Sequence, residues 1–145
     1  MTPERLHQLD EVLLKIAESI GTMSLATRAK VGAILFKDGN IISMGWNGMP
    51  SGMPNDQIEI IHEDGSVTTN PFVLHGESNA ILKCAASKGN ARGSTLYCTY
   101  SPCPDCTKLI IQAGIKRVVY RQDYRLAEGI PILKQIGIQV EKLDG

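Results

Sequence analysis

Ser94-Thr95-Leu96-Tyr97-Cys98-Thr99-Tyr100-Ser101-Pro102-Cys103-Pro104-Asp105-Cys106 opens the reading of this chain. Ser94 to Tyr100 is a strand by composition. Pro102 stops it, and Cys103 to Ala113 continues with helical spacing through Lys108, Leu109, Ile110 and Ile111 to a stop at Gly114. Downstream, Lys116 to Tyr120 is a short β-branched strand. A helix follows around 126–136, interrupted early by Gly129 and Pro131, and Ile138 to Leu143 is a closing strand. Upstream, a helix starts at His75, carries Ala80, Ile81, Cys84 and Ala85 on one face, and is expected to end at Gly89. Residues 57–70 form a polar hairpin around Asp64-Gly65. Asn47-Gly48-Met49-Pro50-Ser51-Gly52 breaks regular structure. Val31 to Phe36 and Ile41 to Trp46 flank the turn Lys37-Asp38-Gly39-Asn40 as a hairpin. A first helix begins at Thr2-Pro3 and buries Leu6, Leu9, Leu13, Ile16 and Ile20 as far as Gly21. Helices alternating with strands after an opening hairpin predict an α/β fold with a mixed sheet covered on both faces.

The 145 residues suit one domain over 1–145. Fifteen basic and fifteen acidic residues leave a formal net charge of +0, without the basic excess of a nucleic-acid binder. No run is apolar enough to span a membrane, and the N-terminus lacks a signal-peptide pattern. A cytoplasmic protein with a small-molecule substrate and neither nucleic-acid nor membrane partners is expected. Of four cysteines, Cys84 and Cys98 lie in apolar stretches and read as core residues, while Cys103 and Cys106 have metal-ligand spacing. His7 and His62 sit among polar residues and need no role.

His75 completes a set of three zinc ligands with Cys103 and Cys106. Three protein ligands leave the fourth tetrahedral position open, as catalytic zinc requires. An open-sited zinc lowers the pKa of bound water to about 7, so a strong nucleophile exists at neutral pH. Glu77, two residues past the histidine, is placed to carry protons as the general acid and base. A closed structural site would need a fourth ligand from His62, Cys84 or Cys98, and none has the spacing.

His-x-Glu followed by Pro-Cys-x-x-Cys is the signature of zinc-dependent nucleobase deaminases. Four stretches carry a narrower resemblance: Asn47 to Gly52, His75 to Ile81, Tyr100 to Cys106, and Lys108-Leu109-Ile110-Ile111-Gln112-Ala113-Gly114-Ile115-Lys116. With Val31-Gly32-Ala33, they resemble the deoxycytidylate (dCMP) deaminase family from about Lys30 to Tyr124. The resemblance implies a cytidine deaminase-like three-layer αβα fold around a mixed five-stranded sheet. It implies hydrolysis of dCMP to dUMP and ammonia in pyrimidine nucleotide biosynthesis, toward dTMP. It implies one zinc on His75, Cys103 and Cys106, with Glu77 as the proton shuttle. Asn47 corresponds to a sugar contact, and the backbone at Gly76 and Ser101 to the cytosine ring edge. It further implies a homohexamer, an allosteric enzyme activated by dCTP and inhibited by dTTP with Mg2+, with Asn47, Gly48 and Met49 near the effector. Gly76 stands where the family motif has alanine.

A substrate phosphate needs cations or amides. Arg28 and Lys30 precede the first strand, and Arg121, Tyr124 and Arg125 follow the strand after the zinc helix. Arg28, Lys30 and Tyr124 are the candidates chosen. Two other functions fit part of the pattern: a related deaminase acting on free cytidine, deoxycytidine or tRNA adenosine, and a catalytically silent zinc-stabilised domain for nucleotide sensing or assembly. A structural domain has no use for Glu77.

Overall fold

The computed structural model describes residues 1–144. Helix α1 (Pro3–Gly21) is capped by Thr2, whose hydroxyl accepts from the Arg5 N–H at 3.1 Å, with proline at the first turn. Strands β1 (Gly32–Lys37) and β2 (Asn40–Trp46) form an antiparallel hairpin. Both turn residues, Asp38 and Gly39, have positive φ, as a two-residue turn that follows the strand twist demands. A second hairpin, β3 (Glu59–Ile61) with β4 (Val67–Thr69), stands apart as its own two-stranded sheet.

Helix α2 (Gly76–Ala86) leads to β5 (Thr95–Tyr100), α3 (Pro104–Gln112) to β6 (Arg117–Gln122), and α4 (Gly129–Gln135) to β7 (Gln139–Lys142). The main sheet runs β2-β1-β5-β6-β7. β5, β6 and β7 pair in parallel, whereas β1 meets β5 antiparallel. The mixed five-stranded α/β architecture is the one the sequence predicts.

Two cores sandwich the sheet. α1 lays Leu13, Leu14 and Ala17 against Ile34, Tyr97 and Val119. The opposite face packs Ala80 and Cys84 of α2, Ile110 of α3 and Leu133 of α4 on Ala33, Leu35, Leu96, Cys98 and Val118. Cys84 and Cys98 are core residues, as expected. The alternation of strand side chains explains the division: Ile34 faces α1 while Ala33 and Leu35 face the other helices.

Two boundaries differ from the sequence reading. α2 ends at Ala86, and Lys88 rather than Gly89 takes the left-handed conformation at φ 66°. Gly89 donates back to the Cys84 carbonyl at 2.9 Å, which closes the helix. α4 starts only at Gly129, because Leu126 to Glu128 remain irregular.

Candidate active site

The ends of β5 and β6 and the start of α2 meet at one edge of the sheet. Ligands of open α/β sheets gather there, beyond the carboxyl ends of the strands. His75 is the residue before α2, and its side chain makes no cap hydrogen bond, so the ring is free to face inward. Cys103 is the corresponding residue of α3. Its sulfur accepts from the Cys106 N–H at 3.5 Å. His75 Nδ1 lies 3.3 Å from Cys103 Sγ and 3.4 Å from Cys106 Sγ. All three donor atoms fall within 4.8 Å of one another. Zinc–sulfur and zinc–nitrogen bonds at tetrahedral angles separate N and S by about 3.5 Å. The donor set and its spacing therefore fit a zinc ion, with two thiolates to balance its charge.

The electrostatics favour the thiolate at Cys103. The Cys103 thiol is pushed down to about 4: a hydrogen bond from Cys106 outweighs burial, and His75 and the Cys106 N–H add to it. Cys106, sharing that proton, is pushed up. Ser78 Oγ lies 3.2 Å from Cys106 Sγ and can donate to it as a thiolate. His75 is raised chiefly by its contact with Cys103. Glu77 is only 4% exposed, and burial pushes its carboxyl up to about 7 against a Cys106 hydrogen bond and the His75 charge.

His75, Glu77 and Cys103 line a cavity of about 290 Å³, while Cys106 and Ser78 lie behind them. His75, Glu77 and Cys103 mark its buried end, and Val31, Asn47, Tyr100 and Ser101 its walls. Arg28, Tyr124 and Arg125 lie toward solvent, with Ile58, Glu59 and Thr69 from the small hairpin beside them.

Residues 7–122 match the family described as the cytidine and deoxycytidylate deaminase zinc-binding region. The chain belongs to that family. A deoxycytidylate deaminase of Enterobacteria phage T2 is 34% identical over 166 aligned positions, which cover 88% of each chain. The human deoxycytidylate deaminase is 34% identical over 116 positions, covering 78% of this chain and 64% of its own. Among solved structures, the dCMP deaminase of cyanophage S-TIM5, in complex with dCMP and dUMP, is 50% identical and superposes with a TM-score of 0.86 over 99% of both chains.

Within this deaminase family member, the other sequence candidates divide. Asn47 lines the cavity, and its side chain also ties a wall together: Oδ1 accepts from the Val31 N–H and Nδ2 donates to the Ala29 carbonyl, both at 2.8 Å. Gly76 is buried at the first turn of α2, and a Cβ there would meet the Val31 carbonyl oxygen at 2.9 Å. Ser101 is buried, and its hydroxyl accepts from the Tyr124 N–H at 2.7 Å, so it also fixes the loop carrying Tyr124 and Arg125. Gly48 pairs with Leu74 and Met49 donates to Asn55, and neither lines the cavity.

Two cations need correction. Lys30 is exposed and outside the cavity, although Ala29 and Val31 on either side line it. Arg121 does not reach the mouth: it is buried against α1, paired with Glu11 and Glu18. Arg125, beside Tyr124, takes the place intended for them. The sequence reading also missed Ser78, Glu59 and Thr69. The position of Ser78 directly after the His-x-Glu pattern was the available signal, whereas nothing local marks Glu59 or Thr69.

Proposed function

We propose that this chain, as one zinc-dependent domain over residues 1–145, hydrolyses dCMP to dUMP and ammonia. One observation carries the proposal. Two helix starts bring three zinc-type donors and a buried carboxylate to the inner end of a cavity whose outer end bears arginines. The deoxycytidylate deaminases among its relatives, and the likeness to a structure that holds dCMP and dUMP, support the choice of substrate.

His75 Nδ1 and the Cys103 and Cys106 sulfurs would hold the ion. Zinc supplies a Lewis acid there, lowering the pKa of a coordinated water to about 7. The Glu77 carboxylate takes the proton of the attacking water and delivers it to the ring nitrogen N3. Carbon C4, now bonded to the incoming oxygen, releases its amine. Glu77 carries the second proton to that amine, which departs as ammonia. Burial keeps bulk water from Glu77, so protons pass between groups held in the site. The backbone at Gly76 and Ser101 holds the ring edge, and Asn47 faces the sugar. Arg28 and Tyr124, with Arg125, take the phosphate. Lys30 is left out because it does not line the cavity.

We extend the proposal to a cytoplasmic homohexamer in pyrimidine metabolism, activated by dCTP and inhibited by dTTP with Mg2+. Its support is the resemblance of the Asn47 to Gly52 loop. The test is ammonia release, with the ultraviolet change of the pyrimidine, from dCMP and zinc-loaded protein. It is run alone, with dCTP, and with dTTP. Turnover in all arms at one rate keeps the reaction and removes the regulation. Turnover of cytidine, deoxycytidine or tRNA in place of dCMP overturns the substrate.

A further inference from the structure

Glu59 has no place in the chemistry above, yet it lines the same cavity. It is half-buried on β3, and its Oε1 accepts from the main-chain N–H of Thr27 at 2.8 Å and of Arg28 at 3.4 Å. Among the described residues no cation pairs with it. Its charge is directed at the backbone of an irregular segment that joins α1 to β1.

Arg28 is the complement. Its guanidinium donates to the Val67 carbonyl at 3.2 Å and to Thr69 Oγ1 at 3.5 Å, both neutral acceptors on β4. No carboxylate pairs with it among the described residues. The contrast within the chain is sharp: Arg117 meets Asp10 and Glu141, and Arg121 meets Glu11 and Glu18. Those arginines are electrostatically satisfied inside the protein. Arg28, exposed at the cavity lining, has no such partner.

We propose that Glu59 is a positioning residue, which clamps the main chain at Thr27 and Arg28 so that the Arg28 guanidinium stands fixed on the cavity wall for an anionic substrate group. The proposal rests on the reading of Arg28 as a phosphate contact. Charge-assisted hydrogen bonds from main-chain N–H groups to a carboxylate are strong and directional. Together with the Asn47 bonds at Ala29 and Val31, they order a segment that belongs to no strand ladder. An arginine on a loose segment must be ordered when substrate binds, and that cost falls on binding rather than on the chemical step. The β3–β4 hairpin thereby gains a role. Glu59 fixes the backbone of Arg28 from one strand, while Val67 and Thr69 support its side chain from the other.

The test is a double-mutant cycle on zinc-loaded protein with dCMP. Glu59→Ala is expected to raise KM about tenfold while kcat changes less than about twofold. Glu59→Gln keeps an acceptor oxygen but loses the charge that strengthens both hydrogen bonds, so its KM is expected between those of the parent and Glu59→Ala. Arg28→Ala is expected to raise KM at least as far as Glu59→Ala. Adding Glu59→Ala to Arg28→Ala should then cost nothing further, because the first acts through the second. Additive effects overturn the proposal, as does a Glu59→Gln variant as impaired as Glu59→Ala, or a fall in kcat or zinc content. An Arg28→Ala variant with parental KM overturns instead the phosphate reading on which the proposal rests.

Discussion

At the inner end of the cavity, His75 and Cys103 directly precede α2 and α3, and Glu77 and Cys106 stand in the first turns of those helices. Both helices are fastened to the sheet by fully buried side chains, Ala80 and Cys84 on one and Ile110 on the other. The outer end is built from pieces outside the main sheet. Arg28 and Glu59 meet across a loop and a hairpin, and Tyr124 is tied down by the Ser101 hydroxyl. The inner geometry follows from core packing, while the outer geometry follows from a few hydrogen bonds. Groups that hold metal and move protons need fixed positions, and rigid elements supply them. Groups that choose the substrate sit on loops, where change costs the fold little.

The comparison is broken most severely from the inside. Cys106→Ala is expected to bring zinc content to background by atomic absorption and to abolish turnover. Glu77→Gln should retain zinc and lose about 10²- to 10⁴-fold in kcat, the usual contribution of a general acid and base. Loss of zinc from Glu77→Gln would instead make that carboxylate a ligand. At the outer end the effect should be smaller and of another kind. Arg28→Ala is expected to raise KM for dCMP roughly 10- to 100-fold, the worth of a charge-assisted hydrogen bond, with kcat nearly retained.

The same division governed what could be read in advance. The inner residues were legible because their spacing is local. A histidine and a glutamate two apart, and cysteines three apart behind a proline, fall at helix starts whatever the rest of the chain does. The outer residues depend on contacts between distant segments. Glu59 reaches Thr27 across 32 positions, and Arg28 reaches Val67 across 39. No local pattern announces either. Arg121 looked like a mouth cation until α1, more than a hundred residues earlier, supplied Glu11 and Glu18 to it. The order of helices and strands was likewise readable. The antiparallel pairing of β1 with β5 was not, because element order does not say which strand lies at the centre.

The far face of the sheet sets a control. Asp10 is 2% exposed. Burial raises its pKa, but hydrogen bonds from Arg117 and Tyr97 outweigh that and leave it below the ordinary carboxylate value. A depressed folded-state pKa contributes stability above the unfolded value, near 4, and that stability disappears as pH falls through the folded value. Melting temperature followed from pH 7 to pH 3 should therefore drop more steeply in the parent than in Asp10→Asn. The variant is already less stable at neutral pH, by up to about 3–5 kcal/mol, because Arg117 loses one of its two carboxylates. Its KM and kcat for dCMP should match the parent. A kinetic change would mean that the sheet transmits strain from α1 to the site.

Gly76→Ala probes the seam between the two ends. A Cβ there would lie 2.9 Å from the Val31 carbonyl oxygen, closer than a Cβ tolerates, and 3.1 Å from its Cγ1, so the Val31 backbone itself must shift. That carbonyl accepts from the Asn47 N–H, and the Val31 N–H donates to Asn47 Oδ1, so Asn47 moves with it. Against this, alanine is favoured over glycine in helices by up to about 1 kcal/mol, less in a first turn. The backbone clash outweighs that gain, and the melting temperature is expected to fall by several degrees. KM should rise about two- to threefold as Asn47 shifts, with kcat retained. A fall in kcat beyond about tenfold would show that the amide at position 76 has itself moved, and that the inner and outer ends are coupled through Val31. No change in either constant would show that Val31 adapts freely, and that the rigidity of the inner end stops at the first turn of α2.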